Sequence, residues 1–481
     1  MLLLFLACST PEAEPSDSTG FWTPFAEDTG SEEADTQAPE PDWVALGEAP
    51  FQTGPDTSEG LTNTSADLWE VLEQGQLEGA CASYAVNRGD RQQELLCGKE
   101  MFFYETFGTA GVPTALVDFI LSGFQDEVGE GFSAYGLIPD PTSEAGYPLG
   151  MSDQGNGVAF TCASCHFAQM ADGRYAVGAP NHDYDYGGHN LALAVSLMAA
   201  MSGLTGTEIH PDARAEVQPM IDKLAWNPGL QWEMMGVLMQ LLNEEQPVFS
   251  AENQGYYANW RSGTMDFVIQ PLPADDGVHT ISKISALWDI PHEGDTMLGW
   301  TGNTTSTLDF VRLFGIVGGD GEPWADEDLQ PLVTYLESLT APEAPHQPPA
   351  SVDRGAALFA TQGCLDCHAG PAGSGERLYE SDEVGTDSAI TLWMDPDGDG
   401  EACCGFEADM PITNRIKSPR LVGLWTMDRY LHNGSLDSLE QLFCMEDRPS
   451  LPSPWSAEGH TFGCELDVQD RRDLIAFLES H

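Results

Sequence analysis

Basic residues are scarce in this chain. Lysine and arginine together number 18 against 77 acidic residues, a formal net charge of −59 over 481 residues. Nucleic acid is thereby excluded as a partner, because phosphate recognition needs a basic footprint. A surface of this sign attracts cationic donors or proteins. It equally suits a plain solvated surface in saline or calcium-rich surroundings. Long apolar runs are missing too. Ala192–Met201 is apolar, but that length suits a buried helix, and a bilayer span needs about 20 residues. Strand-like alternation is sparse, so the fold is expected to be mainly α.

The chain is not short of cysteine. Eleven are present, and four of them fall in two Cys-x-x-Cys-His pentads, Cys162-Ala-Ser-Cys165-His166 and Cys364-Leu-Asp-Cys367-His368. This pattern is the attachment signature of c-type haem. Two thiols one helical turn apart add to the porphyrin vinyl groups, and the next residue, a histidine, ligates the iron. A zinc ribbon would set two Cys-x-x-Cys pairs close together, whereas these lie about 200 residues apart. A thiol redox pair does not require the trailing histidine. Two covalently bound haem c groups are therefore expected, on Cys162, Cys165 and His166 and on Cys364, Cys367 and His368.

The remaining cysteines agree with export. Met1-Leu-Leu-Leu-Phe-Leu-Ala7-Cys8 reads as the close of a bacterial lipoprotein signal, although it lacks a basic n-region. Cys8 would then be an acylated N-terminus and the sole membrane contact. Six cysteines are left, an even number that suggests disulfides in an oxidising compartment. Cys81–Cys97 is a local loop closure. Cys403, Cys404, Cys444 and Cys464 are expected to pair among themselves, with the connectivity open. The expected location is the periplasm or the outer cell surface.

With 41% apolar residues, 481 residues suffice for two or three cores. Residues 1–8 form the signal, and 9–60 an acidic tether rich in Pro, Ser, Thr and Gly, expected to be disordered. Structure is expected from about Leu61, with a helix cap at Ser65. Thr340-Ala-Pro-Glu-Ala-Pro-His-Gln-Pro-Pro349 marks a linker at 341–350. Asp326–Leu339 and Asp467–Leu478 both have helical apolar spacing, and "LVTYLESL" (332–339) and "LIAFLESH" (474–481) read as two closing helices. Ser351–Ala360 supplies an opening helix before Cys364. The expectation is two cytochrome c-type domains, 61–340 and 351–481, each holding one haem, the first enlarged by loops.

Second iron ligands stay open. The C-terminal part offers Met394, Met410, Met427, Met445, His432 and His460, and the N-terminal part Met170, His182, His189, His210, His279 and His292, or no ligand at all. Methionine would raise a haem's potential and histidine would lower it. Asp395, Asp397 and Asp399 have the carboxylate spacing of the first half of a calcium loop, but Phe406 stands at the twelfth position. Calcium in an irregular loop and a simple acidic turn are both open.

Longer stretches carry a family resemblance. "SPRLVGLWTMDRYLHNGSLDSLEQLF" (418–443), with Tyr430, His432 and Gly434 as Tyr-x-His-x-Gly, resembles the di-haem cytochrome c peroxidases and the methylamine-utilisation (MauG-type) enzymes. "YPLGMS" (147–152), "VGAPNHDYD" (177–185), "KISALWDI…MLGWTGNTTSTLD" (283–309) and "GHTFGCELDVQDRRDLIAFL" (459–478) are closer to the haem-dependent rubber-oxygenase-like branch. The resemblance implies that His368 anchors an electron-transferring haem. Its second ligand would be His460 in the rubber-oxygenase-like branch and Met445 in the peroxidase pattern, from which Met445 is about one residue displaced; His460 is favoured. His166 would anchor the catalytic haem. Trp288 and Trp300 would line or bridge the haems, and could equally be core tryptophans.

Three functions follow. A peroxidase-like oxidoreductase would take electrons from a small, cationic redox donor protein and reduce peroxide, with Glu293 as a distal acid–base group. An oxygenase would use O2 to cleave an apolar alkene or polyisoprenoid, reached through a channel from Leu191–Leu204 and Met234–Leu242. A non-catalytic electron-transfer cytochrome would have both irons fully ligated.

Overall fold

The computed structural model describes residues 60–107, 135–154, 157–194, 209–216, 258–266, 279–290, 297–318, 324–375, 377–395 and 411–481, with Thr57, Ser58, Thr114, Val117, Gln218, Tyr256, Gly398 and Gly400 besides. Cys8, most of the tether, Cys403, Cys404, Met410, Glu293, Asp397, Asp399 and His292 lie outside the described residues. So do Met234–Leu242 and most of Leu191–Leu204.

Helix accounts for 37% and strand for 10%, so the architecture is mixed rather than simply α. Antiparallel pairing joins strands of two or three residues. A three-stranded sheet places β1 (Thr64–Ser65) on β5 (Tyr175–Val177) and β5 on β4 (Phe167–Gln169). Three ribbons pair β2 (Met151–Asp153) with β3 (Val158–Phe160), β6 (Thr264–Asp266) with β7 (Ile281–Lys283), and β8 (Leu378–Tyr379) with β9 (Ile416–Lys417). Strands this short complete no more than one alternation, which is why the sequence pattern did not reveal them.

Two helix pairs frame the two pentads. Helix α1 (Arg91–Tyr104) starts on Asp90, whose carboxylate accepts from the amides of Gln92 and Gln93. It crosses the helix Asp326–Leu336 at Gly98, where a Cβ would fall 2.1 Å from the Pro331 carbonyl. The C-terminal part repeats this device. The helix Pro349–Thr361, with proline in its first turn, crosses the helix Val468–Leu478 at Gly355, where a Cβ would fall 2.1 Å from the Asp473 carbonyl. Only glycine lets backbones approach so closely. The closing helices thus lie within the expected spans, and Asp467 caps the second. At the first expected helix, Asp67 rather than Ser65 is the cap, because Ser65 is held in β1 and its hydroxyl donates to Glu70.

Two apolar clusters form around these pairs. The first gathers Phe102, Phe103, Phe167, Trp288, Leu332 and Tyr335, and it takes Ala372 and Val422 from the C-terminal part. The second gathers Phe359, Leu436, Leu439, Leu474, Phe477 and Leu478. Each fully buried Leu or Phe contributes about 2 kcal/mol, so packing dominates over the ion pair between Arg354 and Asp473 at 2.6 Å as the cause of helix pairing in the C-terminal part.

Cys81 and Cys97 form a disulfide, as their spacing suggested, and Cys444 pairs with Cys464. Among the described cysteines the four left free are Cys162, Cys165, Cys364 and Cys367. No helix among the described residues is long and apolar enough to cross a membrane.

Candidate functional site

The first pentad is a single helical turn, Cys162–His166, held between β3 and β4. The neighbouring loops wrap it closely. Gly150, from the "YPLGMS" stretch, has φ +93°, and a Cβ there would fall 2.3 Å from Ser164 Cα. On the other side the Asn181 side chain donates to the Ser164 carbonyl at 3.1 Å, and the Asn181 amide donates to the Cys165 carbonyl at 2.8 Å. The Gly178 amide donates to the His166 carbonyl at 2.8 Å.

His166 Nδ1 lies 2.9 Å from the Ser285 carbonyl. A carbonyl only accepts, so Nδ1 carries the proton and Nε2 keeps its lone pair. Burial, against the pull of the Ser285 carbonyl and with help from the Arg420 charge, lowers the imidazole to about 4. It is therefore neutral near pH 7, the form that ligates metal. Burial pushes Cys162 up to about 12 and Cys165 up to about 11. A thiol redox pair depends on the opposite shift.

The second pentad repeats the arrangement. Its helical turn, Leu365–His368, follows Cys364. His368 Nδ1 lies 2.9 Å from the Gly373 carbonyl. Gly375 takes φ +67°, and a Cβ there would fall 2.3 Å from the Cys367 carbonyl. Burial first, and His460 second, lower the His368 imidazole to about 4. Burial raises the Cys364 thiol to about 11.

His460 faces His368, with ring centres 6.3 Å apart and ring planes at 61°. A metal–imidazole bond of about 2 Å places the centres of two imidazoles on opposite sides of one ion roughly 6 Å apart. The loop carrying His460 is locked by backbone and cation. The His460 amide donates to the Val384 carbonyl at 2.8 Å. Arg448 donates to the carbonyls of Gly459 and His460 at 2.5 and 3.1 Å. A Cβ on Gly459 would fall 2.7 Å from Thr386. His460 Nδ1 is buried and has no hydrogen-bond partner among the described residues. Met445 packs half-buried at the edge of the second cluster. The structure thus brings His460, and not Met445, into ring contact with His368.

Other candidates are occupied elsewhere. His182 Nε2 faces the Ile284 carbonyl at 3.1 Å and its Nδ1 the Asp428 carboxylate at 2.6 Å. His189 Nδ1 bonds the Tyr184 hydroxyl at 2.9 Å, and His279 stacks on Tyr256 at 3.7 Å. His210 contacts Asp212 near the surface, and Met170 is buried in the first cluster. Met394 is buried, and Met427 packs between the two clusters. His432 Nδ1 lies 3.2 Å from the Thr386 hydroxyl. The Asp395 carboxylate accepts from the Gly400 amide at 3.3 Å.

Trp288 is fully buried and joins the two parts. Its Nε1 donates to the Val177 carbonyl at 2.7 Å, and it is flanked by glycines. A Cβ on Gly178 would fall 2.8 Å from the ring, and a Cβ on Gly423 would fall 2.4 Å from it. Trp300 is half-buried, 6.3 Å from the His432 ring. Its carbonyl accepts from the Lys417 amide at 2.7 Å. The Tyr430–Gly434 segment docks on β6 and β7: the Lys283 amide donates to the His432 carbonyl, and a Cβ on Gly434 would fall 2.8 Å from Thr264.

Sequence reasoning missed the carbonyls of Ser285 and Gly373, which carry no side-chain signal. It also missed the buried Lys417 and the half-buried Arg420, which a count of so few basic residues could have flagged.

No protein-family model matches the chain, and no curated protein matches it. Among solved structures the chain is similar to the Kuenenia stuttgartiensis hydrazine synthase, with a TM-score of 0.31 and 16% identity over 47% of this chain and 79% of that one. A likeness at this level carries no argument about fold or activity.

Proposed function

We propose that the chain is an exported di-haem c-type cytochrome of the di-haem peroxidase and MauG-type superfamily, with a peroxidase-like oxidoreductase activity. Residues 61–340 would form one haem domain and 351–481 the other. The observation that carries the reading is the shared state of the two pentads. Each keeps both thiols free, while the other described cysteines are in disulfides. Each presents a neutral histidine whose Nδ1 is fixed on a backbone carbonyl. The two disulfides also support an oxidising compartment, the compartment that a lipid anchor at Cys8 would require.

The donor set fits haem c in both places. Cys162 and Cys165, and Cys364 and Cys367, would form the thioether bonds, with His166 and His368 as axial ligands. Bound there, haem iron would supply electron transfer at one centre and peroxide reduction at the other. His460 would complete the coordination at His368 and suit that site to electron transfer. At His166 the described histidines His182, His189 and His279 are engaged by other partners, which favours the exchange chemistry there. Trp288, wedged between segments of both halves, would provide a short path between them. The acidic surface would steer a small cationic donor protein.

The test is peroxide turnover by the purified chain with a reduced donor. Two haems per chain and turnover that is lost in His166→Ala, with the spectrum of the second haem intact, are expected. Turnover that survives His166→Ala overturns the assignment of roles. A chain that consumes O2 with an apolar alkene instead of peroxide is an oxygenase.

A further inference from the structure

Lys417 and Arg420 are misplaced cations. In a chain with 77 acidic and 18 basic residues, a buried base should find a carboxylate easily. Lys99 does so, with Glu73 at 2.7 Å. Lys417 is only 5% exposed, yet its ammonium donates to the Ser374 hydroxyl and the Ser418 carbonyl, both at 2.6 Å. Arg420 donates through Nη2 to the Ala286 carbonyl at 2.7 Å, and its Nε is buried without a partner among the described residues. Neither has a carboxylate within ion-pair distance among the described residues; Asp289 acts on Arg420 only from farther away. A buried charge left this way costs several kcal/mol unless an anion joins it.

Their positions are parallel. Ser374, which holds Lys417, directly follows Gly373, the acceptor for His368. Ala286, which holds Arg420, directly follows Ser285, the acceptor for His166. The segment 417–420 therefore runs from one histidine anchor to the other, and the amide of the next residue, Leu421, is tied to the Ala372 carbonyl at 2.7 Å. The anion each cation awaits should belong to whatever those histidines hold.

We infer that Lys417 and Arg420 each anchor a propionate carboxylate of a bound porphyrin, Lys417 for the group at His368 and Arg420 for the group at His166. The inference rests on the di-haem reading. It adds that one four-residue segment sets the charge balance of both sites, compensating anions that this acidic protein could not otherwise accept at low cost.

The experiment uses the full haem-loaded chain, with haem counted per chain in every variant. Lys417→Met is expected to shift the propionate-bending band in the resonance Raman spectrum. It should also lower the potential of the His368-side step, by at least a tenfold change in the reduced-to-oxidised ratio, about 59 mV for one electron. His460→Met, which raises that step, identifies it. Arg420→Met should act in the same way on the other step. Lys417→Arg keeps the charge, so its potential should stay near the parent's while the band still moves; it also serves if Lys417→Met loads poorly. Two haems with unmoved bands and potentials in these variants overturn this inference alone. A parent chain without haem overturns the functional reading and this inference with it.

Discussion

The two pentads have the same five-residue grammar but different surroundings. Each histidine is neutral, half-buried and fixed through Nδ1 on a backbone carbonyl at 2.9 Å. The difference lies across the ring. His368 has a second imidazole at 6.3 Å, on a loop pinned by Arg448 and Val384. No such facing imidazole is seen for His166 among the described residues: His182, His189 and His279 are bonded or stacked on other groups. In the proposed reading, local sequence would build the attachment and distant loops would set its use, with one site passing electrons and the other doing chemistry.

The comparison breaks most completely through the thiols. Cys162→Ala with Cys165→Ala should halve the haem absorbance and abolish peroxide turnover, while the matching change at Cys364 and Cys367 should halve the absorbance and leave no route for donor electrons. Haem content by absorbance and by mass checks both. A smaller change sharpens it. His460→Ala should turn the low-spin signal of one haem into a high-spin or water-ligated one, read by electron paramagnetic resonance, and Met445→Ala should leave that signal alone.

The framing helices should respond alike. Gly98→Ala and Gly355→Ala each force a methyl into a backbone carbonyl, and overpacking of this kind costs about 2 kcal/mol; chemical denaturation of each variant measures it. The smallest effect is electrostatic. Asp473 accepts from Arg354 Nε at 2.6 Å and Nη2 at 2.8 Å, and that pairing lowers the carboxyl below its usual range. The folded pKa is depressed, so its contribution to stability is present above the unfolded value, about 3.9, and is lost as pH falls through the folded value. Asp473→Asn should therefore lower stability modestly near pH 7, with the difference from the parent closing as pH falls toward 2.

How much of this could be read from sequence follows from the range of each interaction. The pentads were readable because each lies within five consecutive positions. The closing helices were readable from apolar spacing, and Cys81–Cys97 from its short loop. Sequence left His460 and Met445 as alternatives because the choice depends on how a loop some ninety residues beyond His368 folds back. The carbonyls of Ser285 and Gly373 were invisible because any residue supplies one. The short strands escaped because two or three residues cannot show a period.

The inequality proposed for the two haem sites can be tested by ligand binding to the purified, oxidised chain. Cyanide titrated against the electron paramagnetic resonance spectrum should convert one haem per chain, the one lost with Cys162 and Cys165, while a second low-spin haem stays unchanged. Two low-spin haems that both ignore cyanide, or a responsive haem that disappears with Cys364 and Cys367 instead, would contradict the account.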